Sequence, residues 1–205
     1  MNSPRNLAFD SSGNLYVTNN GGSTISIFDS SGIYQSNITS NLNRPNGLAF
    51  DSLGNLFAAN WDDNTISKFN SAGVYQSKIT SNLSTPGGLA FDSVGNLYAA
   101  NYAGSTISKF NSIGVYEGNI TSNLSGPLGL AFDSSGNLYV ANTGDNTISK
   151  FDSSGIFLTS WNTVVSPYYI AFKPVSVPEP STYALTIIAT GVIFYLTRCR
   201  KVKIT

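Results

Sequence analysis

The chain has 205 residues, with 11 Lys and Arg balancing 11 Asp and Glu and no histidine, a length that suits one domain with a well-buried core. Four of the cations, Arg198, Arg200, Lys201 and Lys203, stand in the last eight residues, so residues 1–176 hold seven cations against ten carboxylates and offer no basic footprint for nucleic acid. The one cysteine, Cys199, sits in that basic tail, which leaves the body no thiol or imidazole to act as nucleophile, base or zinc ligand and no internal disulfide.

The N-terminal MNSPRNLAFD lacks the charged n-region and apolar h-region of a secretory signal. A period begins at once. Pro4, Pro45, Pro86, Pro127 and Pro167 are spaced by 41, 41, 41 and 40 residues. The first four prolines are followed by LAFDSSGNLYVTN, LAFDSLGNLFAAN, LAFDSVGNLYAAN and LAFDSSGNLYVAN, then by TISIFDSSGIY, TISKFNSAGVY, TISKFNSIGVY and TISKFDSSGIF. The units are 4–44, 45–85, 86–126 and 127–166, with a partial one at 167–173.

Each unit divides into four short apolar runs separated by Gly, Asn, Asp and Ser clusters, and such runs predict strands. In the second unit they are 47–50, 55–59, 65–69 and 74–79. DSLGN and NSAG are short Gly-containing hairpin loops, and the WDDN link joins the middle pair. Leu48 and Phe50 share a face by period-two alternation, but Ile66 and Phe69 fall on opposite faces of their strand. Both faces of the four-stranded sheet therefore need cover, and neighbouring units must stack to provide it. Four-stranded antiparallel sheets repeated at about 40 to 45 residues predict propeller blades, an all-β architecture.

The units, PxGLAFDSxGNLYVAN followed by NTISKFDSxG, resemble NHL repeats over about residues 4–173. The resemblance implies a β-propeller whose blades contribute their first strands to a central channel. Metal-dependent lyases and lactonases of this wider group use histidines or a carboxylate cluster, and this chain has no histidine. The fifth proline leads into YYIAF (168–172) with no further strands behind it. Since an unpartnered strand leaves backbone groups unpaired, Met1 is expected to be an internal start, with further blade sequence and a signal peptide upstream. As given, the chain predicts four blades in an open or strained ring, with YYIAF added at an edge.

After Pro174 the chain changes character. Residues 174–182 form a proline-rich, extended linker. YALTIIATGVIFYLT (183–197) is an apolar run that predicts a short membrane helix of roughly 22 Å, eked out by snorkelling side chains, and the basic tail 198–205 places its end in the cytoplasm. A Pro-Glu-Pro motif, an apolar helix and a basic cluster in this order resemble the PEP-CTERM sorting signal. That resemblance implies recognition of Val177, Pro178, Glu179 and Pro180 by an exosortase, with the body delivered to the cell envelope or surface.

Within the body, Asp10, Asp51, Asp92 and Asp133 recur, and a carboxylate ring is one way to hold calcium; each also opens a DSxGN hairpin, where Asp caps the turn, and that is the reading taken. Asn19, Asn60, Asn101 and Asn142 end second strands, as turn formers or as an amide ring at one mouth. The units differ most in the loop between second and third strands, NGGS, WDDN, YAGS and TGDN, and loops freed from the demands of the fold are where binding resides. Trp61 and Tyr102 there offer flat apolar faces, with Asp62, Asp63 and Asp145 as polar partners, a combination suited to sugars or protein loops. The Asn-x-Ser/Thr triplets at Asn37, Asn82, Asn119 and Asn123 follow from the repeat's composition. These features favour an exported, non-catalytic binding or matrix module with no cofactor and no metal, whose ligand is an exopolysaccharide or a protein. The rivals are a metal-assisted lyase or lactonase at the channel mouth and a truncated gene remnant.

Overall fold

The structure, a computed structural model, describes residues 1–172. Residues Met1–Ala171 form one compact unit, and the second unit, Phe172–Thr205, lies outside the described residues except for its first. The linker, the apolar run 183–197 and the sorting motif Val177 to Pro180 are therefore outside them too. Among the described residues no helix is long and apolar enough to cross a membrane.

Among the described residues sixteen strands form four antiparallel sheets, each a meander in chain order. Blade 1 contains β1 (Pro4–Phe9), β2 (Leu15–Asn19), β3 (Thr24–Phe28) and β4 (Tyr34–Ile38). Blade 2 contains β5 (Pro45–Phe50), β6 (Leu56–Asn60), β7 (Thr65–Phe69) and β8 (Tyr75–Ile79). Blade 3 contains β9 (Pro86–Phe91), β10 (Leu97–Asn101), β11 (Thr106–Phe110) and β12 (Tyr116–Ile120), and blade 4 contains β13 (Pro127–Phe132), β14 (Leu138–Asn142), β15 (Thr147–Phe151) and β16 (Phe157–Asn162). A short 3-10 turn, Asn20–Gly22, follows β2. The register repeats: Pro45 faces Asn60 and Pro86 faces Asn101, with an irregularity one step further in each first strand.

The hairpin reading of the Asp residues holds in detail. Asp51 Oδ1 accepts the backbone N–H of Leu53 and Asn55 at 2.9 and 2.8 Å, and Oδ2 accepts the Asn55 side-chain amide at 2.7 Å. Asp10, Asp92 and Asp133 repeat this arrangement. These carboxylates are occupied as turn caps.

Blades stack as two-sided slabs. Phe69 packs with Leu48, Leu56 and Ala58 against Tyr16, Ile25 and Ile38 of blade 1, whereas Ile66, on the other face of the same strand, packs with Phe57 and Ala59 against Leu89, Leu97 and Phe110 of blade 3. The same arrangement joins blade 3 to blade 4. Edge-to-face rings recur at each junction: Tyr16 on Phe50, Phe57 on Phe91 and Tyr98 on Phe132, at 5.0 to 5.1 Å. Fully burying one such side chain contributes about 1.5–3 kcal/mol, and every blade supplies several.

The first strands run side by side in the order β1, β5, β9, β13. Their approach is close enough that a Cβ on Gly47 would collide with the Gly87 carbonyl, and one on Gly88 with the Leu128 carbonyl, which is why glycine stands there. Blade 1 has Asn6 at the equivalent position, and its Oδ1 accepts the Leu48 N–H at 3.2 Å. Residues 168–170 lie against Gly129 of β13, the fifth place in this inner row. The expected edge strand at YYIAF is corrected accordingly: residues 168–171 take the inner place without strand pairing, because an inner strand bonds to the second strand of its own blade and no such partner lies among the described residues. The Tyr169 hydroxyl instead donates to the Arg5 carbonyl at 2.6 Å, tying this segment to β1. Arg5 to Leu7, Gly88, Leu89, Gly129, Leu130 and Tyr169 to Ala171 enclose a channel space of about 360 Å³.

A candidate ligand site at the channel mouth

At the end of the channel where second strands turn into third strands lies a concavity of about 230 Å³. Its lining includes Asn20, Trp61, Tyr102 and Thr143, the same position in four successive units, each directly after the asparagine that ends the second strand. The rest comes from the start of the inner strands and the links before them: Arg5, Arg44, Asn46, Leu128, Tyr168 and Tyr169. Each loop is anchored the same way. The N–H of Trp61, Tyr102 and Thr143 donates to the carbonyl of Arg44, Thr85 and Gly126, the residue before each proline.

Trp61 and Tyr102 stand together, ring centroids 5.2 Å apart and planes tilted by 38°. With Tyr168 and Tyr169, both about half exposed, they give the mouth four aromatic side chains. Partial burial pushes the Tyr169 phenol above its ordinary range, against the pull of the Arg5 guanidinium.

The remaining sequence-derived candidates fall elsewhere. Asn60, Asn101 and Asn142 are essentially fully buried. Asn60 Oδ1 accepts the Asn43 N–H at 3.1 Å, and its amide donates to Thr65 Oγ1 at 3.0 Å and Ser67 Oγ at 2.9 Å; Asn101 and Asn142 do the same. An amide ring facing the mouth is therefore corrected to an internal brace, since a side chain with all its hydrogen-bonding groups engaged inside the blade serves the fold. Asp62 receives the Arg44 guanidinium at 3.2 Å. Asp63 accepts from Thr65 Oγ1 and Lys78 Nζ at 2.7 and 3.3 Å, and Asp145 from Thr147 Oγ1 at 2.8 Å. None of the three lines the concavity. Among the described residues no three Cys, Asp or Glu side chains come together as a metal site.

Arg5, Arg44, Tyr168 and Tyr169 were not singled out by the loop comparison. For Arg5 and Tyr168 the signal is the column after each proline, Arg5, Asn46, Gly87, Leu128 and Tyr168, which also varies among the units; Arg44 and Tyr169 lie outside that column.

A model of the NHL repeat matches residues 124–151. No curated protein matches the chain. Among solved structures, virginiamycin B lyase from Staphylococcus aureus superposes with a TM-score of 0.69 at 19% identity, over 80% of this chain and 57% of that one. A chain of the nidogen/laminin complex gives 0.72 at 18% identity, over 81% and 66%. A functionally unknown protein from Desulfotomaculum acetoxidans gives 0.69 at 14% identity, over 84% and 60%. This chain thus spans less than two thirds of each, and at these identities the likeness is one of fold. The chain contains an NHL repeat and has the β-propeller fold.

Proposed function

We propose that this protein is an exported binding module of the cell envelope or extracellular matrix that holds a polysaccharide or protein ligand at the channel mouth without acting on it. One observation carries the reading: the position at which the units differ most, Asn20, Trp61, Tyr102 and Thr143, converges from four blades on one concavity. Variation that gathers at such a position on a largely repeated scaffold is what ligand selection requires of a propeller. The tilted Trp61 and Tyr102 pair provides apolar faces on which sugar rings or peptide side chains stack.

The rival reading, a lyase or lactonase, draws on the fold likeness to virginiamycin B lyase. One of the similar lyase structures is a variant made catalytically inactive by replacing a histidine with alanine, and this chain has no histidine to play that part. The test is binding of the full chain to a panel of exopolysaccharides and envelope proteins, compared with Trp61→Ala and Tyr102→Ala. Loss of binding in both variants, with unchanged thermal unfolding, supports the module. Turnover of a bound ligand that survives metal chelation or stops with it would overturn the non-catalytic reading.

Export rests on the sequence. The proposed route is recognition of Val177, Pro178, Glu179 and Pro180 by an exosortase-type enzyme after the apolar run 183–197 has arrested the chain in the membrane. Expression in a host with and without such an enzyme, with intact-mass measurement of the product, tests it: a product uncut in both would overturn the route.

A further inference from the structure

We infer that the mouth selects a carboxylate-bearing sugar, one hexuronate unit of an acidic polysaccharide, with Arg5 and Arg44 as the groups that hold its charge; this rests on the binding-module reading of the same mouth. The argument begins with charge. The body carries more carboxylates than cations, yet among the described residues the charged side chains lining this concavity are Arg5 and Arg44. The acidic groups nearest it are already paired, Asp62 with Nη1 of Arg44 itself, Asp63 with Lys78 and Asp145 with Thr147. The opposite end of the propeller carries the hairpin carboxylates Asp10, Asp51, Asp92 and Asp133, together with Asp29 and Asp152. The charge that the concavity itself presents to a ligand is therefore positive, from Arg5 and from the part of the Arg44 guanidinium that Asp62 leaves open.

The two arginines are differently prepared. Arg44 is posed by Asn20 Oδ1, which accepts from Nε at 3.2 Å, and by Asp62, which accepts from Nη1. Its Nη2 makes no hydrogen bond among the described residues, and the Arg5 guanidinium makes none with any of its nitrogens. A planar guanidinium presents paired N–H groups to a carboxylate, a match that an ammonium cannot make.

Size and surface complete the assignment. At about 230 Å³ the space is below the roughly 300–1,000 Å³ of pockets that enclose drug-sized molecules, so it seats a single ring and leaves the chain on either side in solvent. Trp61 and Tyr102 supply the flat apolar wall that a sugar's C–H face covers. Two arginines at one mouth do not form the extended cationic track that a phosphate backbone needs, which favours an isolated carboxylate over a nucleic acid.

The experiment is calorimetric titration of the full chain with oligomers of galacturonate and glucuronate, and with their neutral methyl esters. The acids are expected to bind at least about tenfold more tightly than the esters, the worth of one charge-assisted hydrogen-bonded pair, and to weaken as salt is added. Arg5→Gln and Arg44→Gln should each erase most of that preference while leaving ester binding in place, which also shows that the variants fold. Trp61→Ala should weaken acid and ester together. Equal binding of acid and ester would overturn the charge assignment and leave the binding module standing. Binding of neither would overturn the sugar assignment, and the module reading would fall with it only if the wider panel also gave nothing dependent on Trp61 and Tyr102.

Discussion

Blades 1 and 2 have nearly the same sequence and very different surroundings. Leu7 of β1 is 58% exposed, whereas its counterpart Leu48 in β5 is 6% exposed. Phe28 is half-buried where Phe69 is fully enclosed. Even the polar brace differs: Asn60 Oδ1 accepts an N–H from the preceding link, while Asn19 Oδ1 is buried with no partner among the described residues. Residues Met1–Ser3 place no donor there. A unit's sequence therefore sets its strands and hairpins, but its stabilisation comes from the blade leaning on it.

Substitutions at paired positions put that difference to measurement. The largest effect is expected at the aromatic core. Phe69→Ala should lower unfolding free energy by about 3–5 kcal/mol, the usual range for an enclosed Phe, while Phe28→Ala should cost less than half as much; equal losses in denaturant titrations would mean that blade 1 is covered as well as blade 2. Next comes the inner row. Gly88→Ala drives a methyl into the Leu128 carbonyl and should cost about 1–3 kcal/mol, as overpacking does. Asn6→Ala removes one hydrogen bond between the first strands and should cost about 1 kcal/mol. Third, Asn60→Ala strands the Asn43 N–H and removes the bonds that Thr65 Oγ1 and Ser67 Oγ accept, and should cost about 1–3 kcal/mol. Asn19→Ala discards an acceptor that had no donor, so its loss should be smaller by roughly the worth of one hydrogen bond.

The smallest effect is on pH dependence. The Asn137 side-chain amide, against a lesser opposing push from burial and helped by the N–H of Asn137 and Ser135, holds the Asp133 carboxyl below its ordinary range. A carboxyl lowered in the folded state contributes stability above its unfolded value near about 3.9, and that contribution disappears as pH falls through the folded value. Asp133→Asn should therefore flatten the acid limb of the stability curve between pH 5 and the folded value and lower stability slightly at neutral pH, because the variant loses the oxygen that accepts the Asn137 side-chain amide. An unchanged acid limb would remove Asp133 from the account.

The fold was legible because its signals are local and repeated four times. Period-two alternation placed Ile66 and Phe69 on opposite faces, and the Asp-x-x-Gly-Asn spacing marked the first hairpin of every blade. Trp61 and Tyr102 were legible as candidates because their loops vary between constant flanks. What could not be read was direction across blades. Asn60, Asn101 and Asn142 lie one residue before the mouth positions, and a single step along a strand sends a side chain to the other face, into the blade. Arg44 reaches the mouth from a link that ends one unit and begins the next, so only the placement of neighbouring blades brings it beside Asn20 and Asp62. The segment at 168–171 depends on a contact with Arg5, from the opposite end of the described chain, and nothing local in either stretch announces it.

The bond from the Tyr169 hydroxyl to the Arg5 carbonyl has a dynamic consequence. Every other element finds its partners within its own blade or the adjoining ones, so releasing this one clasp disturbs no sheet. What then holds the segment is its packing on Gly129 and the bond from Thr143 to the Pro167 carbonyl, so the rings of Tyr168 and Tyr169 would move with it and not with a sheet. Hydrogen exchange confined to residues 168–171, slowed on ligand addition while the blades stay unchanged, is the signature such a movement would leave.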